Sequence, residues 1–469
     1  MNRYEARAMV VILTLILIGG WASWGYSVHG PYRAFAWLLC AVAGSWALIR
    51  HPDPLISREP VSYLLYAFLL TLLWSGLQLI PLPAGFVTSL NPEWRESVAV
   101  MERTGLTPPE KLTMALAAEQ GRVAWNHLLA SILFFLAALA AASRRTSLWW
   151  LTRVIAFVCA AEGLAALVRA LGGENRAYGF LFNPNHSAAL ILMGVPLIVA
   201  HMRVRHRRRT AEGAPGLLSG QDPGIVLGAL VLAVLAGWIG TLSRGSLLLG
   251  FPVLVAWAMI EVALSWKRRR TTDEDSTSHI KWLIPLTAVL LLVILAVSSS
   301  ALDRFGTRFS SGDVSAVVDQ GRLALVRAAF AALGDTNYLG LGLHGAEAML
   351  HRHLGAVTRY APIHAHNDWV EVPAELGIIG FVLVMIPLVI FASKFVRGTV
   401  WVMLFSSRSQ TAVLQRAALA GACSALAHAA ADFHLRVPLA GFCFLALLAI
   451  AFAPGRLATE EEDEQRAES

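Results

Sequence analysis

HAHNDWVEVPAELGIIGFVLVMIPLVIF, residues 364–391, decides the architecture. From Val370 the segment is apolar for as long as a helix needs to cross a hydrocarbon core, roughly 20 residues. Its charges there, Glu371 and Glu375, fall in the first turns. Lipid offers no partner for backbone N–H and C=O groups, so the segment is stable in a bilayer as a helix that satisfies them internally. The polar residues crowd at one end. Two imidazoles, His364 and His366, and three carboxylates, Asp368, Glu371 and Glu375, stand at the mouth of a membrane helix. Ionisable groups are costly at that depth and mark a functional site.

The same pattern of long apolar runs recurs along the chain, in which 56% of residues are hydrophobic and 15% charged. Reading the runs in order predicts about twelve spans with boundaries uncertain by a few residues. They lie near 8–26, 33–49, 61–80, 124–142, 147–171, 186–202, 224–242, 246–265, 281–300, 369–393, 411–430 and 438–454. The expected fold is all-α, a polytopic membrane helix bundle forming one integral membrane domain over residues 1–469, with short helices in a large outer loop. Strand alternation is absent, which excludes a barrel. The first run reads as a retained start helix.

Orientation follows from Lys and Arg. With a cytoplasmic N-terminus, Arg3 and Arg7, Arg50 and Arg58, Arg144 and Arg145, Arg203 to Arg209, Lys267 to Arg270, and Lys394 with Arg397 all fall inside. The net charge of +7 is thereby explained by topology and contact with membrane lipids, and nucleic acid is not needed as a partner. The C-terminus is then also cytoplasmic, ending in an acidic tail, 455–469, that reads as disordered. Cys40, Cys159, Cys423 and Cys443 fall inside spans, which suggests neither a disulfide framework nor a Cys-based metal site.

Two outer segments are too long to be plain connections. Residues 81–123 carry five prolines, Pro81, Pro83, Pro92, Pro108 and Pro109, and read as a folded cap. Residues 301–368 hold five of the 14 histidines. Within them the pattern predicts a helix from Gln320 to Leu333, capped by Asp319 and closed by Gly334. A Gly-rich turn, Gly340 to Gly345, and a second helix follow.

Three arginines belong on the same side as the histidines: Arg176 ahead of Asn183-Pro184-Asn185-His186, Arg244 in the turn Ser243-Arg244-Gly245, and Arg322 in the loop helix. Taken singly, each reads as a snorkelling anchor, Asn183 and Asn185 as a turn and cap, and Glu371 and Glu375 as partners of a nearby Arg. Arg153, Glu162 and Arg169 are charges within the fifth span, and Glu162 with Arg169 reads as a structural pair. Converging on one cavity, the three arginines would suit pyrophosphate oxygens, which planar guanidinium groups match well.

The spacing carries more than the residues singly. His366-Asn367, nine residues, then Gly377-Ile378-Ile379-Gly380 resembles the signature of the O-antigen ligase and Wzy polymerase family. The Arg176, Asn183 and Asn185 element, the Ser243 to Gly245 turn, Gly321-Arg322 and the Gly-Leu-Gly turn follow in the family's order. The resemblance covers about residues 170–393. It implies a metal-independent glycosyltransferase of the GT-C type in the bacterial inner membrane, without cofactor, acting on the periplasmic face. Its donor would be a glycan linked to undecaprenyl diphosphate and its acceptor a hydroxyl of lipid A-core or another surface glycan. By the same resemblance His366 is the general base, and Arg176 and Arg244 bind the diphosphate, with Arg322 a second phosphate contact. His364, Asn367, Asp368, Glu371 and Glu375 support them, Asp368 or Glu371 orienting the base. Within the family a Wzy-type polymerase of O-antigen or exopolysaccharide is the alternative, and protein hydroxyls are a third acceptor class. From other classes, His364, His366 and Asp368 alternate as Zn²⁺ ligands could, and the span count also fits a polysaccharide transporter or flippase.

Overall fold

A computed structural model describes residues 3–23, 31–50, 61–211, 223–269, 312–354, 364–397 and 409–453. Helices dominate these segments, with connecting turns and one two-residue strand pair. The helices that fall on the expected spans are α1 (Arg3–Ala22), α2 (Pro31–Arg50), α3 (Val61–Gln78), α6 (Ala118–Ala142), α7 (Arg145–Leu171), α8 (Pro184–Ala211), α9 (Pro223–Gly240), α10 (Phe251–Arg269), α13 (Asp368–Arg397), α14 (Gln410–Ala429) and α15 (Pro438–Ala451). Every expected span but the ninth has its helix here; the ninth, 281–300, and the tail, 455–469, lie outside the described residues. Eight of the described helices are long and apolar enough to cross a bilayer, and α15 and Gly228–Gly240 of α9 are shorter apolar helices. The protein is thus a polytopic helical membrane protein, as the sequence predicts.

Burial orders the bundle. In α8 78% of the apolar window is buried, against 28% in α13, so α8 is central and α13 peripheral. Helix α8 packs against α7, α9 and α14, and α13 packs mainly on α3. Lipid tails are as apolar as leucine, so close backbone approach rather than hydrophobicity drives such contacts. Gly237 of α9 illustrates it, because a Cβ there would stand 1.9 Å from the Gly163 carbonyl oxygen of α7. One ion cluster is buried within the bundle: Arg203 of α8 and Arg416 of α14 both donate to Glu261 of α10. Arg416 is 1% exposed, a position tenable only because its charge is matched.

The cap is folded, as the prolines suggest. Leu82–Pro83 (β1) pairs antiparallel with Lys111–Leu112 (β2), enclosing α4 (Ala84–Leu90) and α5 (Pro92–Arg103). Asn91 caps α5 through its side-chain oxygen, accepting from Glu93 N at 3.0 Å, with Pro92 in the first turn, where its missing N–H costs nothing. The outer loop supplies α11 (Gly312–Asp335) and α12 (Ala346–Leu354). Helix α11 begins seven residues before Asp319, which therefore lies inside the helix and does not cap it. In the sequence Val314, Val317 and Val318 already carry the helical period upstream of Asp319. Leu325, Ala329, Met349, Leu350, Ala365 and Ala374 form a small separate core that seats this loop on the start of α13. Arg352 of α12 clasps the cap through Glu93 and Glu96.

Candidate active site

The site begins with a break in a helix. Pro373 lacks an N–H, and Gly377 takes φ 70° and ψ 178°, so the backbone of α13 leaves helical geometry two turns after it starts. The carbonyls of Ala374, Glu375 and Leu376 find partners outside the helix. Leu341 N donates to Ala374 O at 3.0 Å, Gly342 N to Glu375 O at 3.0 Å, and Trp74 Nε1 of α3 to Leu376 O at 2.6 Å. Gln78 of α3 donates to both Leu339 O and Glu375 O, and Ile378 N reaches Tyr338 O at 2.9 Å. Strand-like contact this close needs glycine on both sides: a Cβ on Gly340 would meet Glu375 O at 2.4 Å, and one on Gly377 would meet the Leu339 carbonyl carbon at 2.4 Å. The Gly-rich turn and the Gly377 signature are two halves of one joint.

The polar half of α13 is held by a residue from far along the chain. Arg436, in the 3₁₀ turn His434–Arg436 before α15, donates to Asp368 Oδ1 at 3.2 Å and to both Glu375 oxygens at 3.0 Å, with Glu371 Oε1 at 3.4 Å. Burial disfavours its charge, but the three carboxylates outweigh that and raise its pKa. Glu371 also accepts from Ala365 N at 2.9 Å and lies 2.6 Å from His364 Nδ1, and Glu375 accepts from His344 N at 2.8 Å. Glu371 and Glu375 do pair with an arginine, but one supplied from about 60 residues downstream rather than from a neighbouring turn.

His366 faces a different carboxylate. Its Nδ1 lies 3.6 Å from Asp432 Oδ1, and the Nε2 of His186 approaches the same oxygen at 3.6 Å. Asp432 is fully buried, whereas the His366 side chain is 36% exposed. Burial would favour the neutral acid, but the imidazoles of His186 and His366 hold Asp432 well below the usual carboxylate range. Phe433 fills the space between: it stacks on His364 at 4.1 Å and meets His186 and His366 edge-on at 4.8 and 4.9 Å. His366 itself adopts φ 53°, an uncommon conformation for a residue with a side chain, stabilised by this surrounding frame. The carboxylate facing His366 is therefore Asp432; Asp368 and Glu371, the expected orienting groups, turn to Arg436. Asn367 accepts from Val370 N and starts α13.

The arginine of the Asn-Pro-Asn element joins this frame through its neighbours. Arg176 donates to Asn185 Oδ1 at 2.9 Å and to Thr241 O at 3.4 Å, Asn183 Oδ1 accepts from Asn185 N at 2.9 Å, and Asn183 approaches His186 at 3.5 Å. His186 then leads to Asp432 and His366. Arg244 is half-buried in the turn that follows Thr241. Its neighbour Gly245 packs on His428, whose ring stacks on His434 at 4.8 Å. Arg322 lies within α11, and its side chain lies outside the described residues.

Glu162 does not pair with Arg169. It accepts from Phe180 N at 2.9 Å, Leu181 N at 3.3 Å, Ser187 Oγ at 2.7 Å and Trp21 Nε1 at 3.2 Å. Backbone amides thus satisfy the buried carboxylate, which anchors the loop carrying Arg176 and Asn183. Arg169 instead bonds Glu174 at 3.1 Å and lies 4.2 Å from the Tyr178 ring centre. His364, His366 and Asp368 turn to three different partners, and among the described residues no group of His, Cys, Asp or Glu is arranged to hold a metal.

Sequence reading missed Asp432, Phe433 and Arg436, and gave His186 no role. The signal was present: two histidines, an aspartate and an arginine lie within residues 428–436, in the outer connection between the last two spans.

His344, at φ 61° in the Gly-rich turn, gives a pH prediction. Burial, with Arg436 and His364 nearby, lowers its pKa from 6.5 to about 4. Between those values the unfolded chain binds a proton that the folded chain does not, so stability rises with pH across the window. The contribution is complete above about pH 6.5 and is lost as pH falls toward about 4. Thermal melts of detergent-solubilised protein should fall over this window, and His344→Gln should flatten the slope. An unchanged slope would place the transition on other groups.

The fold and this frame define a class first: a polytopic membrane protein that gathers a half-exposed histidine, arginines and matched carboxylates at one end of its bundle. Residues 228–385 match the family model described as O-antigen ligase. Over that stretch the family resemblance read from His366-Asn367 and Gly377 to Gly380 is borne out. The match runs from α9 into the membrane half of α13, a narrower stretch than 170–393, and leaves out Arg176, Asp432 and Arg436. That match supports, in general terms, a function of the O-antigen ligase and polymerase type. No curated protein and no solved structure matches the chain.

Proposed function

We propose that this chain is an O-antigen ligase-like glycosyltransferase of the bacterial inner membrane. It moves a glycan from undecaprenyl diphosphate to an acceptor hydroxyl, of lipid A-core or another surface glycan, on the periplasmic face. The reading rests above all on His366, whose Nδ1 edge faces the buried Asp432 while the ring remains open to the outside. With the Nδ1 proton toward Asp432, Nε2 is free to accept the acceptor's proton. The acceptor oxygen attacks the anomeric carbon, the bond from that carbon to the diphosphate oxygen breaks, and the diphosphate leaves with the electron pair and inversion at the sugar. Asp432 stabilises the imidazolium that forms.

Arg176 and Arg244 stabilise the charge growing on the leaving diphosphate, with Arg322 as a further phosphate contact. Asn183 and Asn185 set the Arg176 loop. His364, Asp368, Glu371 and Glu375 with Arg436 hold the outer half of α13, and Asn367 starts it. A diphosphate neutralised by guanidinium groups needs neither a metal nor a protonating acid. Arg244→Lys should lower turnover by about a hundredfold in an assay run with EDTA, because an ammonium cannot reproduce a planar two-donor fork. Full activity of the lysine variant would remove Arg244 from the diphosphate site, and loss of wild-type activity in EDTA would argue for a metal.

The acceptor is tested by deleting the gene and complementing with wild type or His366→Ala, with surface polysaccharide and lipid-linked glycans resolved side by side. Long lipid-linked chains beside bare lipid A-core identify a ligase. Single-repeat glycans or loss of a secreted polymer identify a polymerase. Glycan flux without bond formation by the purified protein would replace both with transport.

A further inference from the structure

At the other end of α7 from the Arg176 loop lies a groove of about 340 Å³, lined by Arg145, Thr146, Trp149, Trp150 and Arg153. Arg153 stands eight residues into the helix, about 12 Å along its axis at 1.5 Å per residue. Its guanidinium lies 5.8 Å from the ring centres of both Trp149 and Trp150, one turn back toward the helix start. Among the described residues no carboxylate pairs with Arg153, unlike Arg203 and Arg416, whose charges are matched by Glu261. Trp149 is fixed from behind: His201 of α8 packs on it with ring centres 5.5 Å apart and bonds Thr152 at 3.0 Å. A rigid wall of indole therefore flanks an unmatched guanidinium at membrane depth, where such a charge is costly without an anion.

We infer that this groove binds the phosphodiester headgroup of an anionic glycerophospholipid in the leaflet opposite the candidate active site. Arg145 and Arg153 line the same groove, and Thr146 adds a hydroxyl donor. The face continues below Arg153 as an exposed apolar stripe, Phe157, Leu164 and Val168, with exposures of 55%, 38% and 69%. That stripe offers an acyl chain a track leading directly from the headgroup, which a soluble anion would have no use for. Tryptophans at the groove match the preference of indole for the headgroup boundary.

The test uses the full chain, purified and exchanged into mixed micelles of phosphatidylglycerol and phosphatidylcholine with identical acyl chains, with retained lipid counted by native mass spectrometry. Wild type is expected to keep phosphatidylglycerol in preference to phosphatidylcholine. Arg145→Gln with Arg153→Gln should weaken that retention by about tenfold or more, as expected for two cationic contacts. Trp150→Ala, at an exposed position and thus safe for folding, should weaken it several-fold and keeps the test decisive if the double variant misfolds. Equal retention of the two lipids by wild type, or unchanged retention in the variants, overturns the inference. So does displacement of phosphatidylglycerol by millimolar inorganic phosphate, which would make this a soluble-anion site.

Discussion

Replacing His366 with alanine is expected to abolish glycan transfer, lowering turnover by between about a hundredfold and ten-thousandfold, the usual contribution of a positioned base. The protein should still insert and fold, because the side chain is 36% exposed and its removal leaves no large cavity. Asp432→Asn should lose a comparable factor while His366 stays in place, since an amide keeps the shape of the carboxylate but not the charge that stabilises the imidazolium. Wild-type turnover in His366→Ala, measured with purified protein and a lipid-linked donor, would end the general-base assignment.

The second large effect is structural. Arg436→Gln should destabilise the protein by about 3–5 kcal/mol, the cost of leaving buried charges without their partner. Its carboxylate partners have little water to turn to: Asp368, Glu371 and Glu375 have side-chain exposures of 9%, 0% and 1%. The loss should appear as a lower melting temperature and as easier proteolysis of the outer loop, since Glu375 also holds His344 N and Glu371 holds Ala365 N. Adding Glu375→Gln to Arg436→Gln should restore part of the stability, because one of the uncompensated charges is removed. A double-mutant cycle measures that coupling, and strict additivity would show that Arg436 does not act through Glu375.

How far the sequence could be read depends on the range of each interaction. The spans were legible because hydropathy acts residue by residue over one helix. The sharp polar entry to α13, the Gly-rich turn and the folded cap were legible because their signals are local. The joint between Gly340 and Gly377 was visible only as two separate glycine motifs; that they close on one another depends on the path of the loop. Arg436 and Asp432 were overlooked for the same reason, as they reach α13 from the far end of α14. Glu162 and Arg169 were misread as a pair because helical spacing shows which groups share a face and not which amides a returning loop will present. Asp319 was misplaced because a cap residue is recognised by its type, whereas the apolar helical period of the sequence already begins upstream at Val314.

The break at Gly377 has a further meaning for life in a bilayer. Beyond it, residues 378–397 form a largely apolar rod that ends in Lys394 and Arg397. At 1.5 Å per residue that rod is about 30 Å long, matching the hydrocarbon thickness on its own. The nine residues before the break, Asp368 to Leu376, are tethered to α3 by Trp74 and Gln78 and to the loop by backbone hydrogen bonds. A rod in a thinner or thicker membrane adjusts by tilting. Because the break at Gly377 lets the two halves take different axes, the direction of the polar entry is set by its hydrogen bonds to α3 and the loop and not by the axis of the rod.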